Sequence, residues 1–101
     1  MRFTLNMTNE PILENFDYCA TPEAVALIRE ELRGARLSHG TLSVRGAEGD
    51  NEMSLCWKAP NRDPIAVNVP RDSFAEAANA HMAVQRLLMA VSLRDRVDRG
   101  A

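Results

Sequence analysis

The side chains best suited to act as nucleophile, base or metal ligand are two cysteines and two histidines: Cys19, Cys56, His39 and His81. A cysteine nucleophile needs an imidazole beside it and a third group that orients the base. Helical spacing puts His81 on the apolar side of a predicted helix, whereas strand alternation turns Cys56 to the far side of a predicted sheet. We expect the sheet to separate them, and we interpret His81 as a histidine at the edge of the core.

Metal binding has little support from the same residues. Zinc prefers clustered cysteine and histidine ligands, but these four positions run from 19 to 81 without a paired spacing. Glu48, Asp50, Asn51 and Glu52 have the composition of a calcium loop but lack the residue order of an EF-hand. The chain has no GxGxxG, HExxH or GxSxG motif. The sequence therefore predicts no catalytic residue, no metal site and no cofactor.

Segment 9–20 leaves a second hypothesis open, because it is too apolar for a free linker. Ile12, Leu13 and Phe16 have helical spacing and predict one short helical turn packed on the core. A pocket between this segment and the sheet would make the chain a small-molecule binder or a small enzyme. The residues available to such a pocket are Asp17, Tyr18, Cys19 and His81.

Three predicted strands, at about 37–46, 52–59 and 65–69, alternate apolar and polar side chains. Successive side chains of a strand point to opposite faces, so this pattern predicts a half-buried antiparallel meander. Gly40 interrupts the alternation and indicates a bulge or the start of a strand. The apolar face carries Leu42, Val44, Met53, Leu55, Trp57, Ile65, Val67 and Val69. The open face carries Ser43, Arg45, Ser54, Cys56, Lys58, Ala66 and Asn68.

Two helices and a further strand complete the predicted elements. Residues 2–8 alternate like a strand. Thr21 and Pro22 are typical of a helix start, and Gly34 is typical of its end. Ser73 and Glu76 form a capping box for the second helix.

The spacing of the second helix predicts that it continues to Arg99, with a break near Ser92 as the alternative. Its predicted apolar stripe contains Phe74, Ala77, His81, Val84, Leu88 and Val91.

The predicted order of elements is β-α-β-β-β-α. Because each element has one apolar face, we expect an α+β fold in one domain spanning residues 1–101. The predicted architecture is a two-layer sandwich, with two helices on one face of a four-stranded, mostly antiparallel sheet.

Composition favours a small soluble domain in the cytoplasm. The chain has 101 residues, a net charge of −2 and only two cysteines, so neither a disulfide framework nor a strong overall attraction to nucleic acid is expected. No apolar run is long enough to span a membrane, and the first residues do not form a signal peptide.

These observations favour a non-enzymatic protein that binds another protein as an accessory factor or an inhibitor. Examples are an immunity-type protein or a phage- or mobile-element-encoded inhibitor of a host complex. Leu93 and Val97 lie between charges near the chain end, where they could dock a partner or form a homodimer. The predicted partner-binding residues are Arg45, Lys58, Arg94, Arg96 and Arg99.

A third hypothesis is a nucleic-acid or nucleoprotein binder that acts through Arg33, Arg36 and Arg45. A sheet that stacks bases needs aromatic side chains on its open face. The aromatic residues Phe3, Trp57 and Phe74 fall on apolar phases instead, so the sequence favours a protein partner.

Overall fold

The elements follow the predicted order, although the first strand is a different one. A computed structural model of the chain describes residues 11–37, 39–46 and 51–100, of which 98–100 are described by their backbone alone. The strands are β1 (Ile12–Glu14), β2 (Thr41–Arg45), β3 (Glu52–Lys58) and β4 (Ile65–Pro70). The helices are α1 (Pro22–Gly34) and α2 (Ala77–Gly100), and a short 3₁₀ turn covers Phe16–Tyr18.

The four strands form one sheet in the order β1-β2-β3-β4. β1 is parallel to β2, with α1 as the connection between them, and the other two pairings are antiparallel. The fold is therefore α+β with a mostly antiparallel sheet, as the sequence predicts.

The predicted strand at 2–8 lies outside the described residues. The short helical turn predicted from Ile12, Leu13 and Phe16 is present at Phe16–Tyr18, where Phe16 is buried, but it does not include Ile12 and Leu13. These two residues belong to β1, because the start of β2 provides a pairing partner for them. The Ile12 amide donates a hydrogen bond to the Gly40 carbonyl at 2.9 Å. Helical spacing over three residues cannot outweigh such a tertiary pairing.

Both helices cover the same face of the sheet, and the core lies between these two layers. The meander buries the predicted face, except that Ile65 and Val67 at the outermost strand are only half-buried. The Phe16 and Phe74 rings meet edge to face, with centroids 5.2 Å apart. The buried hydrophobic residues are Phe16, Ala24, Ile28, Leu32, Leu42, Val44, Met53, Leu55, Trp57, Val69, Phe74, Ala80, Ala83, Val84, Leu87 and Val91.

Helix α1 begins and ends at the predicted residues, but Gly34 does not supply the left-handed conformation of the C-terminal cap. Thr21 Oγ1 accepts a hydrogen bond from the Ala24 amide at 3.2 Å, and proline occupies the first helical turn. The left-handed residue of the cap is Arg36, with φ 61°, two residues after Gly34. The amide of Leu37 donates to the Leu32 carbonyl at 2.9 Å, which is the hydrogen bond of a Schellman motif.

Helix α2 begins later than predicted and has no break. Ser73 does not cap it, because Ser73 Oγ donates to the Pro70 carbonyl at 2.6 Å within a turn that precedes the helix. The helix then runs without interruption through Ser92 for 24 residues, about 36 Å at 1.5 Å per residue. Val91 is the last buried residue among the side chains described, which end at 97, so the turn after it extends beyond the core. None of the helices in the described ranges is long and apolar enough to cross a membrane.

Gly40 immediately precedes β2, where the chain passes close to the Trp57 ring. A Cβ atom at this position would lie 2.6 Å from Trp57 Cη2 and 2.9 Å from the Lys58 carbonyl oxygen. Trp57 is fully buried, so neither its ring nor the strand backbone can move away freely. Glycine is the residue that permits this approach.

We predict that Gly40→Ala lowers the free energy of unfolding by about 1–3 kcal/mol, because overpacking forces the ring or the backbone to shift. Urea denaturation followed by the fluorescence of Trp57 measures the change. Gly34→Ala is the control, because a Cβ atom there meets nothing within 4 Å and alanine favours helix. Equal stability of the two variants would contradict the proposed close approach.

Candidate interaction surfaces

An open cleft beside the 3₁₀ turn occupies the place where the sequence suggested a pocket. Its volume is about 320 Å³, and Tyr18 and Cys19 both line it. Asp17 and His81 are not among its lining residues. Burial raises the pKa of the Cys19 thiol, which disfavours the thiolate that nucleophilic chemistry requires. This cleft therefore has two of the four predicted residues but no imidazole to activate the cysteine.

His81 lies at the junction of the two helices and is exposed, so its predicted place at the edge of the core is wrong. Its Nδ1 contacts Glu31 Oε1 on α1. Gln85 Nε2, one turn further along α2, donates to Glu31 Oε2 at 3.3 Å. The imidazole thus joins α2 to α1, and Glu31 is the residue that receives both contacts.

Cys56 points to the open face, as the alternation predicts, and it is half-buried there. Both cysteines are free thiols. No group of three or more histidine, cysteine or acidic side chains in the described ranges could hold a metal ion. Glu48 and Asp50 of the calcium-like segment lie outside those ranges.

The predicted binding residues of the open face, Arg45 on β2 and Lys58 on β3, lie at opposite ends of this pair of strands. Lys58 is on the strand position that pairs with Thr41, and Arg45 pairs with Ser54. Both cations are exposed, and Lys58 Nζ donates to the Ala59 carbonyl at 2.9 Å. Small side chains separate the two cations, so they do not form one patch.

The arginines near the chain end have different environments. Arg94 is half-buried, its Nη1 donates to the Asp63 carbonyl, and its buried Nε has no partner within the described part of the chain. Arg96 is exposed. Arg99 belongs to α2, but its side chain lies outside what the structure describes.

The turn between β3 and β4 holds the extended end of α2. Arg62 Nη1 on this turn contacts Asp95 Oδ1 at 3.0 Å, beside the contact between Arg94 and Asp63. Asn61 adopts φ 62°, a left-handed conformation that asparagine tolerates in a turn. Arg94 therefore helps to position the helix end from within the chain.

A row of large apolar side chains runs along α2 on the side opposite the core. Their exposed fractions are 69% for Met82, 65% for Met89, 55% for Leu93 and 67% for Val97. Their spacings of seven, four and four residues keep them on one side of a helix. We call these four residues the outer stripe of α2.

The sequence pattern indicated the Leu93 and Val97 end of the outer stripe but not Met82 and Met89. Of the predicted apolar side, Val84 and Val91 are buried and Leu88 packs half-buried against the core. His81 is exposed, and the other buried residues of the helix are Ala80, Ala83 and Leu87. Apolar residues occur on both sides of this helix, so spacing alone did not fix its rotation. The sequence feature that could have indicated this part of the outer stripe is the pair of methionines at 82 and 89, seven residues apart.

A second cleft adjoins the beginning of the outer stripe, between α2 and the end of β4. Its volume is about 310 Å³. Arg86 on its wall donates through Nη1 to the Asn68 carbonyl of β4 at 2.6 Å. The lining residues are Val69, Pro70, Asp72, Ser73, Asn79, Met82, Ala83 and Arg86.

Comparison with known proteins adds no relative to these observations. No protein-family model, no curated protein and no solved structure matches this chain. The surfaces themselves are therefore the basis for a functional proposal, and the outer stripe contains four of the six large exposed hydrophobic residues in the described ranges.

We predict that Arg62→Gln speeds hydrogen exchange of the backbone amides after Val91 without unfolding the core. The ion pair is more than one-third exposed, so we expect a loss of global stability below about 1 kcal/mol. Hydrogen exchange with mass spectrometry measures both effects. Arg96→Gln is the matched control, since Arg96 is exposed on the same segment, and similar exchange in both variants would contradict a holding role for Arg62.

We predict that Cys19 reacts with iodoacetamide more slowly in the folded protein than in the urea-unfolded chain. Its raised pKa lowers the thiolate fraction near neutral pH, so the rate should rise only at a higher pH than in the unfolded chain. The experiment uses Cys56→Ser so that one thiol remains. Equal rates and equal pH profiles in the two states would show that burial does not suppress the thiolate.

Proposed function

We propose that this chain is a non-enzymatic protein that acts by binding another protein through the outer stripe of α2. Both an accessory factor and an inhibitor work in this way, by occupying part of a partner's surface. The observation that carries the proposal is the exposure of four large apolar side chains on one side of one helix. Contiguous apolar patches on a folded protein mark sites of interaction.

The position of the outer stripe supports this proposal. The described ranges contain six large exposed hydrophobic residues, and these four are on α2. The helix already buries its opposite side in the core, so the stripe is not needed to hold the fold together. Flexible methionine side chains also adapt well to a partner surface.

The competing surfaces offer weaker support. The open face of the sheet carries small side chains with two separated cations. Arg33 and Arg36 lie at the end of α1, whereas Arg45 lies beside the cleft at Tyr18, and these three residues were the basis of the nucleic-acid hypothesis. Neither the open face of the sheet nor the surface around these arginines combines large exposed apolar side chains with charge, as the outer stripe of α2 and its arginines do.

We expect a purified partner to bind the wild-type chain and to lose at least about 100-fold in affinity for Met89→Asp/Leu93→Asp. Each buried apolar anchor contributes about 1.5–3 kcal/mol, and a carboxylate in its place is desolvated without a partner. The partner is identified by affinity capture from cells of the source organism. It is then expressed, purified and titrated against both variants by calorimetry.

Arg45→Gln/Lys58→Gln is the matched control, because it lowers the net charge by the same two units on the open face. This control should bind like the wild type, and circular dichroism confirms the fold of each variant. If no purified protein forms a stoichiometric complex, the proposed function is wrong. If only the control loses binding, the open face and not the outer stripe is the interface.

A further inference from the structure

We infer that the partner of the outer stripe is an acidic amphipathic helix, whose apolar side packs along α2 between flanking carboxylates. This inference rests on the proposed function, because it names the chemistry of the partner for the same surface. It follows from the length of the stripe, the charges within it and the cleft at its beginning.

The length and spacing of the stripe match a helical partner. From Met82 to Val97 the stripe spans 15 steps along the helix, about 22 Å. Met82, Met89 and Arg96 are each seven residues apart, and so are Arg86 and Leu93. Two interleaved rows at this spacing are the pattern by which one helix packs along another.

The charges within these rows are positive. Arg86 and Arg96 are both exposed, and Arg96 has no hydrogen bond or ion pair with the part of the chain that the structure describes. Asp95 contacts Arg62 on the turn between β3 and β4. Position 98 is the other acidic position near the end of α2. By helical spacing it lies about 160° round the helix from Met82, and so outside the two rows. Carboxylates on a partner would therefore meet cations within the same two rows that carry the exposed apolar side chains.

The same charges argue against a second copy of this chain as the partner. An antiparallel pair of α2 helices would bring two copies of Arg86 and Arg96 into one seam. No acidic residue occurs among positions 82, 86, 89, 93, 96 and 97 to compensate them. Like charges in a helical seam select against self-pairing, so a partner of opposite charge is favoured.

The cleft beside β4 supplies an anchor point at the beginning of the seam. Met82 and Arg86 line both the cleft and the seam, and Asp72 also lines the cleft. The part of the partner helix that enters the cleft is therefore an apolar side chain and not a carboxylate. The Arg86 guanidinium uses Nη1 for the Asn68 carbonyl. Its remaining N–H groups can donate to a carboxylate of the partner.

The extension of α2 beyond the core makes a long contact possible. None of the side chains at 92–97 is buried, and the turn between β3 and β4 holds this segment from one side. A partner helix can therefore pack along the whole seam on the other side. Leu93 and Val97 belong to this extension, so its apolar side chains continue the stripe.

The test uses two synthetic helical peptides of about 18 residues, which is five turns. Both carry leucine at heptad positions, and they differ only in having glutamate or lysine beside the leucines. Fluorescence anisotropy measures their binding to the full chain. We expect the glutamate peptide to bind at least tenfold more tightly than the lysine peptide.

Single variants locate the contact. Met89→Asp should abolish binding of the glutamate peptide, and Arg96→Glu should weaken it at least tenfold and improve binding of the lysine peptide. Arg45→Glu is the control, because it makes the same change of charge on the open face and should leave both affinities unchanged.

Three results would overturn the inference. The first is equal binding of both peptides, or no binding of either. The second is a dimer in light scattering that Met89→Asp converts to a monomer, which would identify a second copy as the occupant. The third is binding to vesicles with anionic lipids in preference to the glutamate peptide. In each case a purified partner that binds through the outer stripe would still support the proposed function. Failure of this inference is therefore distinguishable from failure of the proposed function.

Discussion

The constraint on which this structure depends is that the sheet has one apolar face and two helices must share it. Residues of the meander bury that face around Trp57, and the helices lie side by side over it. Their contact brings Glu31 of α1 next to His81 and Gln85 of α2. With one side of α2 fixed in the core, its other side faces solvent, and the apolar residues there become available for binding.

The parts of the fold that the sequence predicted are those in which local pattern and burial agree. Strict alternation over two faces defines β2, β3 and β4, because a shift by one residue would expose every apolar side chain. Thr21 specifies a helix start because its side chain accepts a hydrogen bond from a backbone amide of the first turn. Pro22 does so because it lacks an amide proton at a position where that proton would have no helical partner. These features depend on residues close together in the sequence, so they can be predicted without the tertiary contacts.

The parts that were wrong depend on tertiary contacts or on degenerate patterns. β1 is three residues long, and it exists because β2 offers a parallel edge. Gly34 is the last residue of α1, but the left-handed conformation that follows the helix falls on Arg36, although glycine adopts it more readily. The rotation of α2 was misjudged because its apolar residues surround the helix. The same ambiguity hid Met82 and Met89, and the role of Arg94 depended on a turn more than thirty residues away.

The contact of Arg86 with the Asn68 carbonyl has a consequence for the outermost strand. β4 ends the sheet on one side, and an unpaired strand edge is a template for pairing with other chains. Arg86 occupies one of its carbonyl groups, and Pro70 at its last position has no amide proton to offer. The helix that carries the outer stripe thus also occupies a backbone acceptor of the outermost strand, and Arg86 links the stripe to the edge of the sheet.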